Sequence, residues 1–205
     1  MVRAARRGHL EAVQCLLEQF QKQTRPRTWS RVPGKTWSSE EALGAAILSG
    51  HFEIAKYLVD HDYHQPGRAV YRQVPYDAVS GNLAMIKWLR DQQLAGKTTH
   101  WLDGAASVGH LDIIKWIHEN MPKDASTPDA MNGAASGGHL EVVQWLHENR
   151  REGCTTHAMN NAAKNDHLKV LQWLQDNRSE GCTTQAMDGA AQNGHLEIVQ
   201  WLHAN

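Results

Sequence analysis

Several things are scarce in this chain, and each scarcity removes a class of protein. No stretch approaches the ~18 consecutive apolar residues of a membrane helix. The N-terminus, Met1-Val-Arg-Ala-Ala-Arg-Arg-Gly-His9, lacks the apolar core of a secretory signal. Cysteine occurs three times, at Cys15, Cys154 and Cys182. An odd count, with two of the three at equivalent places one repeat apart, predicts free thiols, because such positions exceed the roughly 7 Å reach of a disulfide. The expected location is intracellular and soluble, cytoplasmic or nuclear. The net charge of −1 over 205 residues gives no overall attraction for nucleic acid. No glycine-rich phosphate loop follows a strand, no Gly-x-Ser-x-Gly nucleophile elbow occurs, and no strand framework exists to carry either. The chain is expected to have no catalytic residues, no cofactor and no resident metal.

What is present is a repeat. The stretch from Gly181 to Leu202 recurs upstream, and a Gly-His-Leu corner marks each recurrence, at His9, His51, Asn82, His110, His139, His167 and His195. The steps between these anchors are 42, 31, 28, 29, 28 and 28 residues. A fixed period of this size predicts a stacked array in which each unit buries its apolar face against its neighbours. The expected fold is all-α, a solenoid of about seven antiparallel helix pairs in one domain over residues 1–205. Helices spaced about 8–10 Å apart would make it a rod or arc on the order of 55 Å long.

Within a unit, a hydroxyl residue at Thr98, Thr127, Thr155 or Thr183 opens a short inner helix as its cap, and Pro128 suits the first helical position after Thr127. The apolar positions of that helix are Met187/Ala190/Ala191 and their equivalents, small enough for a second backbone to come close. The outer helix begins at the histidine corner. Leu140, Val142, Val143, Trp145 and Leu146 give it an apolar face wider than one stripe. Trp88, Trp116, Trp145, Trp173 and Trp201 share one position, held by Cys15 and Tyr57 in the first two units. Full burial of each indole would contribute on the order of 4–6 kcal/mol before entropy. A residue repeated in register serves a stack better than it serves a ligand.

The pattern Ala-Ala-x-x-Gly-His-Leu-Glu-x-Val-x-Trp-Leu resembles the inner-helix end, corner and outer helix of the ankyrin repeat, in seven copies over nearly the whole chain. The likeness weakens ahead of the corner, where Gln185-Ala186-Met187-Asp188 stand in place of the family's Thr-Pro-Leu-His. Ankyrin units run roughly 33 residues, so units of 28 imply short connections, such as Glu148 to Gly153, where the family carries projecting hairpins. The resemblance implies a non-enzymatic scaffold that binds a protein partner.

Three places depart from the repeat. The first unit is truncated, with Ala4 to Gly8 as the tail of an inner helix and an outer helix from about His9 to Phe20. Between it and the second unit, 14 residues beyond the period fall within 19–38. This insertion carries Arg25, Arg27 and Arg31 with Trp29 and Trp37 and no acid, a mixture able to meet phosphates and bases, to contact a protein, or simply to be solvated. Residues 1–50 hold eight Lys/Arg against four Asp/Glu, and the remainder 13 against 18. The second unit opens with Ser39 at the cap. The third is irregular around 68–78, where Asp77 and Ala78 replace the alanine pair and Pro75 falls inside the inner helix; Trp101 could fill the space this leaves. The last unit stops directly after its outer helix with Ile198 and Trp201 of the kind that meet a neighbour, so further repeats or end-to-end self-association are expected.

In the regular units, inner-helix positions away from the Met/Ala face are His100/Asp103/Ser107, Asp129/Asn132/Ser136, His157/Asn160/Lys164 and Gln185/Asp188/Gln192. They form candidate contact columns for a protein partner. The nearly uniform column Asp103/Asn132/Asn160/Asp188 argues for a bonded ladder within the stack, whereas the other two vary as recognition positions do. Six of the 13 histidines sit at the corners, a stacking step apart and too far for a shared ion at about 2 Å bond lengths; they are expected to shape the start of the outer helix. The cluster Asp60-His61-Asp62-Tyr63-His64 lacks the supporting groups of a metal motif. The leading reading is a protein-binding scaffold using the inner-helix face and short loops. The alternative is an architectural spacer within a larger repeat protein, with nucleic-acid contact through the basic insertion as the weaker third.

Overall fold

The computed structural model describes residues 1–23, 39–61, 81–92, 100–121 and 127–205. Among these residues there are thirteen α-helices and no strand. They fall into two compact units, residues 1–98 and 99–205.

In the first unit, α1 (Val2–Arg6) and α2 (Leu10–Gln23) form one pair, and α3 (Ser39–Leu48) and α4 (Phe52–Asp60) the next, followed by α5 (Leu83–Asp91). α1 packs on α3, and α2 on α4, so the pairs stack inner on inner and outer on outer. α3 is buried from Ala42 to Ile47 on every side, and Val13, Leu17, Ile54 and Leu58 close the layer beside it. Phe52 of α4 meets Trp88 of α5 edge to face, with ring centroids 5.6 Å apart.

Two sequence expectations shift here. α2 continues to Gln23, three residues past the expected end at Phe20, so the start of the supposed insertion is helical. Ser39 is the first residue inside α3 rather than a cap ahead of it. Arg25, Arg27, Trp29, Arg31 and Trp37 lie outside the described residues, as do residues 68–78 and the inner helix expected there.

The second unit contains four pairs: α6 (Trp101–Ser107) with α7 (Leu111–Asn120), α8 (Asp129–Ser136) with α9 (Leu140–Asn149), α10 (Thr156–Lys164) with α11 (Leu168–Asn177), and α12 (Thr184–Gln192) with α13 (Leu196–Ala204). The inner helices form a row, α6 on α8 on α10 on α12, and each packs on its own outer helix. The alanine pairs make that spacing possible: Ala105, Ala106, Ala134, Ala135, Ala162 and Ala163 are all fully buried. Thr98 is outside the described residues, and α6 opens instead from His100, whose backbone is left-handed at φ 75°. Trp101 is buried at 1% exposure, while the space it was expected to fill involves residues outside those described.

The corner has a definite construction. In Ala134 to Leu140, the His139 N–H donates to the Ala134 carbonyl and the Gly138 N–H to the Ala135 carbonyl, which is the Schellman arrangement that satisfies the last carbonyls of a helix. It needs a left-handed residue, supplied by Gly138 at φ 75°. Leu140 then donates to the Gly138 carbonyl across His139 (φ −85°, ψ 72°), an inverse γ-turn that starts the outer helix. In the sixth unit Asp166 takes the left-handed position at φ 66°, where a side chain is strained.

The tryptophan ladder is half-buried rather than enclosed. Its burial therefore contributes less than full enclosure would, and part of its contact is with histidine edges: His118 meets Trp145 and His147 meets Trp173, both at 5.3 Å and nearly perpendicular.

Candidate partner-binding face

Each inner helix of residues 99–205 presents three polar columns, and the structure separates them. In the middle column, Asp103 accepts from the Thr127 N–H (3.1 Å) and hydroxyl (2.9 Å). Asn132 accepts from the Thr155 N–H at 3.0 Å and hydroxyl at 3.3 Å. Asn160 accepts from the Thr183 N–H at 2.9 Å and donates through Nδ2 to the Thr183 hydroxyl oxygen at 2.9 Å. Thr155 and Thr183 cap their own helices, the hydroxyl oxygen accepting from the N–H of His157 or Gln185; Thr127 accepts likewise from Asp129, but α8 begins at Asp129 with Pro128 at its N-cap, one residue later than the sequence suggested. A residue that begins one helix is thus fastened to the middle of the preceding inner helix.

This column belongs to the stack. Asp103, Asn132 and Asn160 are 8%, 6% and 4% exposed, which withdraws them from the set of candidate contact residues. Buried polar groups persist where their bonds are satisfied, and here all three are. Asp188, the fourth member, is exposed.

The flanking columns remain accessible. His100, Asp129, His157 and Gln185 are exposed, as are Ser107, Lys164 and Gln192, with Ser136 half-buried. His100 and Asp129 are tied to the ladder beneath them: His100 Nδ1 lies 2.9 Å from Asp103 Oδ2, and Asn132 Nδ2 donates to Asp129 at 3.4 Å. Gln185 Oε1 accepts from Asn160 at 3.4 Å. These bonds reduce the freedom of the exposed side chains before any partner arrives. In the third column Asn165 donates to the Ser136 carbonyl and hydroxyl oxygens at 2.8 and 3.0 Å.

The corner histidines have a second role that their sequence position did not reveal. His51, His110, His139, His167 and His195 make no side-chain cap bond; several rings point back to the preceding pair. His51 Nε2 donates to the Arg6 carbonyl and His195 Nε2 to the Lys164 carbonyl, each at 3.0 Å. A Cβ on Gly8, Gly109 or Gly138 would stand 2.7, 2.6 or 2.6 Å from the imidazole of His51, His139 or His167. At these three corners glycine is therefore favoured twice, for its backbone angle and for the ring lying over it.

A second feature missed in the sequence follows the outer helices, where Arg-x-Glu recurs at Arg150/Glu152 and Arg178/Glu180. Arg150 donates to Glu152 at 2.6 Å and to His118 Nδ1 at 3.3 Å; Arg178 pairs with Glu180 and donates to His147 Nδ1 at 3.4 Å. Arginine can only donate, so Nδ1 of both histidines carries no proton in these bonds. The Arg178 guanidinium holds the Glu180 carboxyl below its ordinary range, against a smaller opposing effect of burial. Burial, then Glu180, pushes the Cys154 thiol up. The spacing of 28 between the two Arg-x-Glu pairs was the available signal. Cys15, Cys154 and Cys182 are all free.

Among the described residues no three His, Cys, Asp or Glu gather as metal ligands. His61 bonds the Tyr57 carbonyl at 2.8 Å and Asp60 is exposed at the end of α4, while Asp62, Tyr63 and His64 lie outside the described residues. No described helix is long and apolar enough to cross a membrane.

A crystal structure of the human ASB11 ankyrin repeat domain is similar to this chain, with a TM-score of 0.59 and 21% identity over 92% of this chain and 90% of that one. At that identity the likeness concerns the fold alone. A family model described as ankyrin repeats (3 copies) matches residues 1–129, and another described as ankyrin repeats (many copies) matches residues 133–175. One family model thus spans more than half of the chain, and the chain belongs to the ankyrin repeat family.

Proposed function

We propose that this protein is a non-enzymatic scaffold that holds a protein partner against the inner-helix face of residues 99–205. Ankyrin repeats generally mediate protein–protein interaction. The observation that carries the finer reading is the division of labour among the columns. Asp103, Asn132 and Asn160 are consumed by the stack, while His100, Asp129, His157 and Gln185 stand exposed beside them and differ from unit to unit. Positions that vary on a frame that does not are where recognition can be written. The three free thiols support an intracellular working place.

The test is a variant with His100→Ala, Asp129→Ala and His157→Ala. Proteins retained by the intact chain are compared by quantitative mass spectrometry with those retained by the variant, after circular dichroism and urea unfolding show the same fold. Loss of a specific retained protein at unchanged stability supports the contact face. Retention unchanged contradicts it and favours the spacer reading.

A further inference from the structure

Left-handed backbone is unfavourable for any residue that carries a Cβ. Among the described residues two side chains other than glycine are nevertheless held in it, His100 at φ 75° and Asp166 at φ 66°. Each belongs to an imidazole–carboxylate pair: His100 Nδ1 lies 2.9 Å from Asp103 Oδ2, and His195 Nδ1 lies 3.7 Å from Asp166 Oδ1. Strained backbone and histidine–carboxylate pair thus coincide at both places, and strain of this kind is concentrated where a structure positions a working group. His100 adjoins residues outside those described, whereas Asp166 and His195 lie wholly within them.

The imidazole of His195 sits as His51 does over its glycine corner. His51 Nε2 donates to the Arg6 carbonyl, two residues before Gly8, and His195 Nε2 to the Lys164 carbonyl, two residues before Asp166, each at 3.0 Å. A carbonyl only accepts, so Nε2 carries the proton in both rings and Nδ1 is left as the site for a second one. Over Gly8 that nitrogen has only backbone beneath it, and a Cβ there would stand 3.0 Å away. Over Asp166 it meets a carboxylate oxygen. The other charged groups of the preceding pair beside this corner are Lys164 and Lys169, both exposed, with His167 next to Asp166; the one on its own first turn is Glu197, also exposed. Lys164 runs along Gly189, where a Cβ would stand 3.1 Å from its own, and Asp166 supplies the carboxylate that reaches the ring.

We propose that Asp166 and His195 form a proton-operated latch: uptake of a second proton by the imidazole, at Nδ1, sets an ion pair across the corner and tightens the joint between α10 and α12. Histidine as a side chain changes charge in the range just below neutrality. A proton held more firmly by the folded chain than by the unfolded one adds stability as pH falls and withdraws it as pH rises. The six other corners have glycine in the left-handed position; they avoid the strain and lack the carboxylate. This one corner accepts the strain and gains a contact that answers to pH.

Two substitutions separate charge from shape. Asp166→Asn removes the carboxylate and keeps a side chain that tolerates left-handed backbone. His195→Gln keeps an N–H for the Lys164 carbonyl and takes up no proton. Full chains carrying neither, either or both are unfolded in urea at about pH 8 and about pH 5.5, on the two sides of the histidine range. At the acid pH, Asp166→Asn is expected to lower the folded-to-unfolded ratio about two- to fivefold when His195 is present, and to have no such effect when glutamine replaces it. At the alkaline pH the substitution is expected to act equally in both backgrounds. Exchange of the Thr183 amide, bonded across the same joint to Asn160 at 2.9 Å, gives a local reading independent of global unfolding. It is expected to quicken by a similar factor on Asp166→Asn at the acid pH alone. An Asp166→Asn effect that ignores the identity of residue 195 at the acid pH overturns the proposal, as does a dependence on residue 195 that is equally large at both pH values.

Discussion

The two compact units solve the same problem with different materials. In residues 99–205 the inner helices are held in a row by amide and carboxylate oxygens buried against threonines. In residues 1–98 the equivalent position of the second repeat is Gly44, and α3 is buried on all sides from Ala42 to Ile47. The imidazole over the corner glycine is common to both, at His51 on Gly8 and at His139 and His167 on Gly109 and Gly138. The corner contact is therefore the general joint of the stack. The ladder is an addition, and it has a consequence that apolar packing lacks: its bonds lie directly beneath an exposed polar face and hold it in place.

The sharpest way to break the shared joint is Gly138→Ala. The new Cβ requires a left-handed alanine and would lie 2.6 Å from where His167 Nδ1 now sits, so a loss of about 2–3 kcal/mol is expected in urea unfolding. Gly8→Ala is expected to do the same in the other unit, where the ring is His51. Breaking the ladder separates the two regions. Asn132→Leu leaves the Thr155 N–H and hydroxyl without their acceptor, with an expected loss of about 1–3 kcal/mol. Hydrogen exchange should quicken around Thr155 and remain unchanged in residues 1–23 and 39–61. An equal response there would show that the ladder is not confined to one half.

Restoring the common joint works in the other direction. Asp166→Gly removes a strained left-handed side chain and is expected to stabilise by about 1 kcal/mol in the same assay. The smallest effect expected concerns Glu180. Its folded pKa is lowered, chiefly by the bond from Arg178, so its contribution to stability is complete above the unfolded value and disappears as pH falls through the folded one. Arg178→Gln should flatten the acid limb of the stability profile in that window. An unchanged limb would mean that the pair adds nothing.

The helix pairs, their order and their period were legible because the corner announces itself: Ala-Ala-x-x-Gly-His-Leu encodes a Schellman stop, a γ-turn and a helix start in seven residues. The ladder column could be picked out because a near-uniform Asp/Asn position within a varying polar face points inward. The histidine-on-glycine contact was not legible, since a repeated Gly-His reads equally well as a purely local turn. The Arg-x-Glu clamps were hidden for a similar reason, because charges in a short connection look like solvated surface until His118 and His147 are found beneath them. Burial of the indoles was overstated, since register shows that a position recurs but not how much of it a neighbour covers.

The most direct measurement is amide hydrogen exchange at Thr127, Thr155 and Thr183 in the unaltered chain. A residue just ahead of a helix has no intrahelical partner for its N–H, and unbonded it would exchange at nearly the rate of an unstructured peptide. If neighbouring pairs are fastened through Asp103, Asn132 and Asn160, all three amides exchange slowly, and Asn160→Ala releases Thr183 alone. Rapid exchange at all three in the unaltered chain would contradict the ladder and the ordered face built on it.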